Sequence, residues 1–577
     1  MTPWETWTAV RSSAGPPRWW AGSDRYPRGW LASAGAWVPE GVTVSDPQLC
    51  TLAADLLDVP EPTTDQLSAV RRLLEGHDVL LVAPTGTGKS LVFQLAAAAA
   101  ERLCVVVTPL LSLAGDQVRG LDASAGEGFA ARWTSAESVA DLDAAESTVR
   151  DGTLRLLYTS PEQLEGGRLR DLLAEHPPAL LAVDEAHCVS TWGTDFRPAY
   201  AALGQVREAW GSPPTVAVTA TASSAVRKDV HRVLGLGGTE QVLGFERPEL
   251  TLRVLRLHED SERTALVEER VRALREETEG GLGLVYVRTR RDAESLASRL
   301  AEAGLRAPAY HAGLPRARRE EVHDAFHAGD VDVVLATSAF GMGVHQPEVR
   351  FVLHAQAPES LDVYYQESGR AGRDGRQAVA ELLFRDEDLS LGHFFAGGRP
   401  RSASVRRVAE AWRDAPDADV RTLVSNTGLG RRTVGRVLAL LTAGDADPSQ
   451  DVDRLADVVR RRADAERTLR RTQVERVREY ADSPHCRDLV LRHHFGDLSE
   501  KPCGRCDTCS AEGGAAPLET LRDLDGLRPE SGVRHRRFGR GTITDLTRDT
   551  VTVLFERVGY RTLATELVRE RQLLKPA

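Results

Sequence analysis

Four groups of residues carry chemistry that their types and spacing make legible. Ala83-Pro-Thr-Gly-Thr-Gly-Lys-Ser90 follows an apolar run and precedes a helical segment that begins at Leu91. Such a loop lets the backbone N–H groups of Thr85, Gly86, Thr87 and Gly88 curl round phosphate oxygens at a helix N-terminus, with Lys89 as the cation and Ser90 as a hydroxyl ligand for Mg²⁺. Ala83 stands where the usual pattern has its first glycine. Asp184-Glu-Ala-His187 directly follows Leu180-Leu-Ala-Val183. That order puts two carboxylates at the carboxyl edge of a sheet, where α/β folds hold their ligands. Asp184 suits the Mg²⁺ shell, and Glu185 suits the water that attacks in phosphoryl transfer.

In Tyr365-Gln-Glu-Ser-Gly-Arg-Ala-Gly-Arg-Asp-Gly375, Arg370 and Arg373 are three residues apart and share a helix face. From a second domain they would reach the γ-phosphate as arginine fingers, so that closure of the cleft depends on ATP. Cys486, Cys503, Cys506 and Cys509 form the last group. Four thiolates with two Cys-x-x-Cys spacings suit tetrahedral Zn²⁺ with no open position, hence a structural site. An iron–sulfur cluster is the alternative.

These residues need elements to position them. From about residue 50 to 390, short apolar runs alternate with amphipathic segments, in two series. The first holds Val79–Ala83, Val105–Val107, Leu180–Val183 and Val216–Val218, and the second Leu284–Val287, Val333–Ala336, Phe351–Leu353 and Leu382–Phe384. Strands alternating with helices imply βαβ units and parallel sheets. The expected fold is therefore α/β: two tandem parallel-sheet domains over 50–243 and 244–392, RecA-like by the resemblance given below. Residues 400–480 read as helical, with a helix-turn-helix-like pattern from Val420, and Arg454–Glu479 reads as a solvated charged helix. A four-cysteine zinc module is expected over 481–512, and a small β-barrel over 531–575.

Composition excludes several classes. The 577 residues carry a formal charge of −11, which argues against a uniformly basic DNA-coating protein but not against a locally positive groove. A local cysteine cluster in a long chain points to metal binding in a reducing cytoplasm rather than to a disulfide scaffold. No apolar run is long enough for a membrane span, and the N-terminus lacks a signal-peptide layout. The richness in Ala, Arg, Gly and Val suggests a GC-rich bacterial genome. Residues 1–45 hold six of the ten tryptophans without helical or strand period. They read as a poorly ordered leader, with a Trp-based docking segment as the alternative.

The ordered set of motifs resembles superfamily-two helicases and, within them, the RecQ family. The resemblance covers about residues 60–390. It rests on Thr108-Pro-Leu-Leu-Ser-Leu-Ala-Gly-Asp-Gln117, Leu157-Tyr-Thr-Ser-Pro-Glu162, the segment from Asp184 to Pro198, Val218-Thr-Ala-Thr-Ala222, Phe245-Glu-Arg-Pro248, Tyr310-His-Ala-Gly-Leu314 and Ala336-Thr-Ser-Ala-Phe-Gly-Met-Gly343. The cysteine spacing, with His493-His-Phe-Gly496 between the ligands, also resembles the RecQ zinc module. The resemblance implies an ATP-dependent DNA helicase of 3′-to-5′ polarity, acting on single-stranded and duplex DNA in recombination and repair, with ATP, Mg²⁺ and Zn²⁺; a DNA-stimulated translocase that remodels complexes and an RNA-directed helicase are the alternatives. It implies Gln66 as adenine reader, Gln366 as a further residue of the catalytic cleft, and Thr108 and Thr337 as nucleic-acid contacts. The segment after the acidic box resembles an aromatic-rich coupling loop. In it Trp192 and Phe196 would stack on unpaired bases and Arg197 would contact phosphate or base. Without the family, Trp192 reads equally well as a core residue.

The sequence departs from the family pattern at Thr191, Thr194, Pro62-Thr-Thr-Asp65 and His345-Gln346. No strand-separating hairpin is assigned. Val533–Ile543, Val551–Phe555 and Gly559–Leu563 resemble the Tudor or SH3-like module at the C-terminus of UvrD-like helicases, which implies RNA polymerase or another protein as a partner, with a purely structural cap as the alternative. The remaining expectations are a monomer in the bacterial cytoplasm, associated with the nucleoid.

Overall fold

The computed structural model describes residues 44–577 apart from 110, 191–197, 341–345, 396–397, 417, 419 and 443–445, with backbone alone at 111–113, 198, 391 and 393–395. Its first sheet has seven parallel strands: β1 (Val79–Val82), β2 (Cys104–Val107), β3 (Ala130–Trp133), β4 (Leu156–Thr159), β5 (Leu180–Val183), β6 (Thr215–Thr219) and β7 (Thr239–Val242). The strand order is β3-β4-β2-β5-β6-β1-β7. β1, β2, β5 and β6 are buried along their whole length. Apolar residues therefore run without alternation, as expected for strands covered by helices on both faces. The edge strand β7 instead alternates half-buried and exposed positions, so Thr239-Glu-Gln-Val242 carries no continuous apolar signal.

β1 is also tied at its start. The Asp78 carboxylate accepts hydrogen bonds from Arg207 at 2.7 and 2.9 Å and from the backbone of Thr215 and Gly237, each at 2.9 Å. The pair is buried, so removal of Arg207 would leave an uncompensated charge at a cost of about 3–5 kcal/mol.

The second sheet holds β8 (Leu250–Arg256), β9 (Leu282–Tyr286), β10 (Ala309–Tyr310), β11 (Val333–Ala336), β12 (Val349–His354) and β13 (Ala378–Phe384). All are parallel, in the order β10-β11-β9-β12-β13-β8. Two tandem parallel sheets are thus present, as the strand–helix alternation implied.

Helices Ser402–Asp414, Val420–Thr427 and Arg431–Thr442 then pack into a small core around Trp412, Leu423 and Val437. Helix Val452–Asp482 follows, and here the expectation of a solvated face fails. Leu455, Val459 and Ala463 enter the small helical core, while Leu469, Val474, Val477 and Tyr480 pack elsewhere. The many arginines obscured this apolar stripe, which continues along 31 residues and ties the helical unit to the modules that follow. The chain ends in an antiparallel five-stranded sheet of β14 (Gly532–His535), β15 (Gly539–Leu546), β16 (Thr550–Phe555), β17 (Gly559–Ala564) and β18 (Leu574–Pro576), ordered β17-β16-β15-β14-β18. It seats on the long helix where Gly559 adopts φ +66°; a Cβ there would lie 2.3 Å from Thr472 Oγ1.

Among the described residues no helix is long and apolar enough to cross a membrane.

Candidate functional site: a nucleotide cleft between two sheets

The loop after β1 and the acids after β5 meet because β6 alone separates those strands. Two strand spacings amount to about 10 Å, within reach of long side chains. In the loop, Gly86 and Gly88 adopt φ of +89° and +69°, conformations that favour glycine. Gly88 leads into helix Lys89–Ala100. Lys89 Nζ donates to the carbonyls of Ala83 and Pro84, both at 3.0 Å. Burial lowers the Lys89 ammonium to a pKa of about 8, against the opposing pull of Glu185 and Asp184.

Asp184 accepts from the Glu185 N–H at 2.9 Å and from Thr108 Oγ1 at 3.3 Å. Burial, and then the neighbouring Glu185, push the Asp184 carboxyl upward to about 7. Burial opposes ionisation of Glu185, yet His187 beside it, with Nδ1 at 3.3 Å, holds the carboxyl below its ordinary value. Ser90 Oγ accepts from Gln117 at 3.2 Å, at the helix end facing these acids.

Two residues expected at ligands also make contacts within the protein. Thr108, expected at nucleic acid, is buried with its hydroxyl turned to Asp184. Its position at the end of β2, adjacent to β5, forces this, since both strands end at the same sheet edge. Gln66, expected to read adenine, has its amide engaged at both ends. Nε2 donates to the Thr87 and Gly88 carbonyls at 2.9 and 3.2 Å, and Oε1 accepts from Thr63 N at 2.8 Å. In this conformation it braces the phosphate loop.

The second sheet completes the cleft. Thr85 Oγ1 donates to the Gly369 carbonyl at 3.1 Å, and the Arg373 side chain lies over Gly86, 3.3 Å from where a Cβ would stand. Gln366 Nε2 donates to Thr221 Oγ1 at 3.0 Å, across to the turn after β6. Arg370 is buried, and its Nε has no hydrogen-bond acceptor, an orphan that suits an anion. Burial and the nearby Arg370 lower the Arg373 guanidinium to about 9. Pro84, Thr85, Thr87, Arg247, Glu249 and Arg373 are among the residues that line a cleft of about 300 Å³ beside the loop. The donor set therefore fits a polyphosphate with a divalent cation: glycine-shaped backbone, one lysine, two arginines and two acids.

Sequence reading missed what steadies the arginine segment. Arg247 is buried and donates to the carbonyls of Gly369 at 3.1 Å and Ala371 at 2.8 Å. Arg505, in the cysteine loop, donates in turn to the Arg247 and Leu250 carbonyls at 2.6 and 3.1 Å. Phe495 stacks on Phe245 at 4.9 Å and tilts against Tyr365 at 5.0 Å. The only sequence signal was that Phe245, Arg247 and Tyr365 fall inside the motifs already quoted.

The four cysteine sulfurs lie within 4.8 Å of one another. A Zn–S bond of about 2.3 Å puts tetrahedral sulfurs about 3.8 Å apart, so the set fits Zn²⁺ closely. Arg487 pairs with Asp507 at 2.9 Å, and Asp507 accepts from Val254 N at 3.0 Å, which fastens the module to β8. Thr337 stands half-buried at the end of β11. Trp192, Phe196 and Arg197 lie outside the described residues, as does the Trp-rich segment 1–43.

A phosphate loop on one parallel sheet and an arginine pair from a second define a two-domain P-loop protein whose nucleotide cleft is built from both halves. Residues 63–230 match the DEAD/DEAH box helicase family, 264–375 the helicase conserved C-terminal domain and 449–510 the RecQ zinc-binding family. The ATP-dependent DNA helicase RecQ of Pasteurella multocida is 33% identical over 463 residues, which cover 80% of this chain and 61% of that protein. RecQ of Haemophilus influenzae is 32% identical over 80% of this chain and 62% of its own length. The probable ATP-dependent DNA helicase RecS of Bacillus subtilis is 32% identical over 77% of this chain and 88% of its own.

The chain belongs to the RecQ family of helicases. It spans about three-fifths of the length of the Pasteurella and Haemophilus relatives.

Proposed function

We propose that this chain is an ATP-dependent DNA helicase that translocates 3′ to 5′ on single-stranded DNA and separates duplex DNA in recombination and repair, in the bacterial cytoplasm. The observation that carries the reading is the contact of the two sheets at the phosphate loop, where Thr85 meets Gly369 and Arg373 covers Gly86. Residues that neutralise a γ-phosphate thus come from the half opposite the one that cradles it, so occupancy of the cleft and the relative position of the halves are one equilibrium.

In this reading Lys89 and the loop amides bind the phosphates, and Glu185 orients and polarises the attacking water. Arg370 and Arg373 offset the charge that builds on the transferred group. Ser90 and Asp184 would hold Mg²⁺, which supplies charge neutralisation when bound. Gln366 links the arginine segment to Thr221 and so carries the cleft's state toward the turn after β6. Trp192, Phe196 and Arg197 are proposed to contact unpaired bases, a role supported by their place close after the acidic box. Thr337 is proposed to contact the strand from the second sheet. DNA is favoured over RNA by membership in a family whose named relatives are DNA helicases.

ATP turnover measured alone, with single-stranded DNA and with RNA of the same sequence tests this. DNA is expected to raise the rate severalfold and RNA far less. Equal stimulation by both would overturn the substrate assignment.

A further inference from the structure

The C-terminal sheet carries a charge pattern that its own stability does not call for. In the antiparallel register Arg534 of β14 stands opposite Arg540 of β15 on one side and opposite Lys575 of β18 on the other. All three are exposed. Like charges directly opposite on a sheet face destabilise the pairing, and here three cations form one row across three strands. Arg536 and Arg537 in the β14–β15 turn and Arg557 in the β16–β17 turn are exposed beside it. The two turns adjoin: Glu556 N donates to the Arg540 carbonyl at 3.1 Å, and Arg561 places its guanidinium 5.9 Å from the Phe538 ring.

Three arginines elsewhere on this module have carboxylate partners. Arg528 pairs with Asp523 at 2.8 Å, Arg548 with Glu519 at 3.0 Å and Arg569 with Asp525 at 3.1 Å. Among the described residues, none of the six cations of the row and turns has a carboxylate within ion-pair distance. The chain as a whole is strongly acidic, at −11, so this concentration of unpaired positive charge is local. Evenly distributed or paired charges would serve a purely structural cap better.

The patch offers charge without a free aromatic face. The Phe538 ring is stacked by His535 at 4.3 Å and 16° and flanked by the guanidinium of Arg537 at 5.9 Å. Sequence-tolerant single-strand binding relies on aromatics open to bases, whereas duplex binding without sequence preference rests on cations against phosphates. A row across three strands spans about 10 Å, and duplex DNA carries one charge per about 1.7 Å of axis.

We propose that this face is a second, sequence-independent nucleic-acid surface. Lys575, Arg534 and Arg540, with Arg536, Arg537 and Arg557 at the adjoining turns, would hold the phosphate backbone of duplex DNA. A protein partner, which the sequence suggested for this module, would need an acidic surface to meet the same row.

The test uses the full chain and a blunt duplex oligonucleotide, with affinity measured over a range of salt concentrations. A variant with Arg534→Ala, Arg536→Ala, Arg540→Ala and Arg557→Ala is expected to bind duplex at least tenfold more weakly. The slope of log affinity against log salt should fall by about 3–4, as each lost phosphate contact removes about 0.9. The same positions changed to Lys should keep the slope. Melting temperature should not drop, because Arg534→Ala relieves repulsion. The single variant Arg540→Glu, expected to lower the slope by about 1 or more, covers the case in which the fourfold variant folds poorly.

Unchanged duplex affinity and slope in the fourfold and single variants would overturn the proposal. So would loss of binding to poly-glutamate with duplex binding intact, which would assign the face to an acidic protein. Single-strand-stimulated ATP turnover should be unaffected throughout. Absence of that turnover in the parent chain would break the motor reading and leave the duplex test standing.

Discussion

At the residue scale the proposed chemistry rests on charge placed around one phosphate group. Lys89 is half-buried, hydrogen-bonded to two loop carbonyls and close enough to both acids to feel them. Lys89→Ala should therefore abolish ATP turnover. Glu185→Gln should retain nucleotide binding and stall hydrolysis, since an amide polarises water poorly. Arg370→Ala and Arg373→Ala should lower turnover by on the order of 10³–10⁵ with a smaller change in nucleotide affinity. Steady-state rates beside equilibrium nucleotide binding check all four variants, and parent-like turnover in both arginine variants would remove the two-sheet cleft from the mechanism.

The phosphate loop, the acids and the arginine pair were legible in sequence because each motif places its chemistry within a few residues. The contact of Thr108 with Asp184 has no local signal, because it depends on β2 lying beside β5, a pairing between residues 76 positions apart. Arg247 was passed over for the same reason: its partners Gly369 and Ala371 lie more than 120 positions away.

At the element scale, the zinc module is a brace inserted against the arginine segment. About one Zn²⁺ per chain is expected, and its removal by a chelator should lower the melting temperature and ATP turnover together, because Arg505 holds the Arg247 backbone and Phe495 packs on Tyr365. Elemental analysis showing iron with sulfide would contradict the assignment.

The module also meets the C-terminal sheet through a buried pair, with His493 Nδ1 3.5 Å from Asp545 Oδ1. His493 Nε2 is committed to the Ser499 carbonyl at 2.8 Å. Burial works against charge on both groups, yet Asp545 raises the His493 pKa and His493 lowers that of Asp545. The raised histidine stabilises the fold below about pH 6.5 and loses that contribution as pH climbs through its folded value. The lowered aspartate stabilises above about pH 4 and loses its contribution below. The melting-temperature gap between the parent and Asp545→Asn should thus be widest between about pH 4 and 6.5 and narrow toward pH 9. A gap that does not vary with pH would show that the pair is not ionised in the fold.

Sequence periodicity found the buried strands but not β7, whose polar residues sit at an edge. It misjudged helix Val452–Asp482, whose arginines mask the apolar stripe.

At the scale of the whole molecule, contacts run from the first sheet to the C-terminal one through every unit between them. Arg431 of the helical unit pairs with Glu165 at 2.6 Å, Arg227 pairs with Glu530, and His494 with Asp362 at 3.1 Å. Relative motion of the two sheets must therefore be felt at the zinc module and at the basic face beyond it. None of this was legible in sequence, since no local pattern records which distant charges meet.

The proposed function requires this assembly to convert ATP hydrolysis into movement along DNA. Strand separation of a duplex with a 3′ single-stranded tail, followed in real time with ATP, tests it most directly beside the same duplex with a 5′ tail and the Glu185→Gln variant. Displacement is expected from the 3′-tailed substrate, little from the 5′-tailed one and none with the variant. Displacement that proceeds equally with Glu185→Gln, or none at all from the 3′-tailed duplex while ATP is hydrolysed, would contradict it.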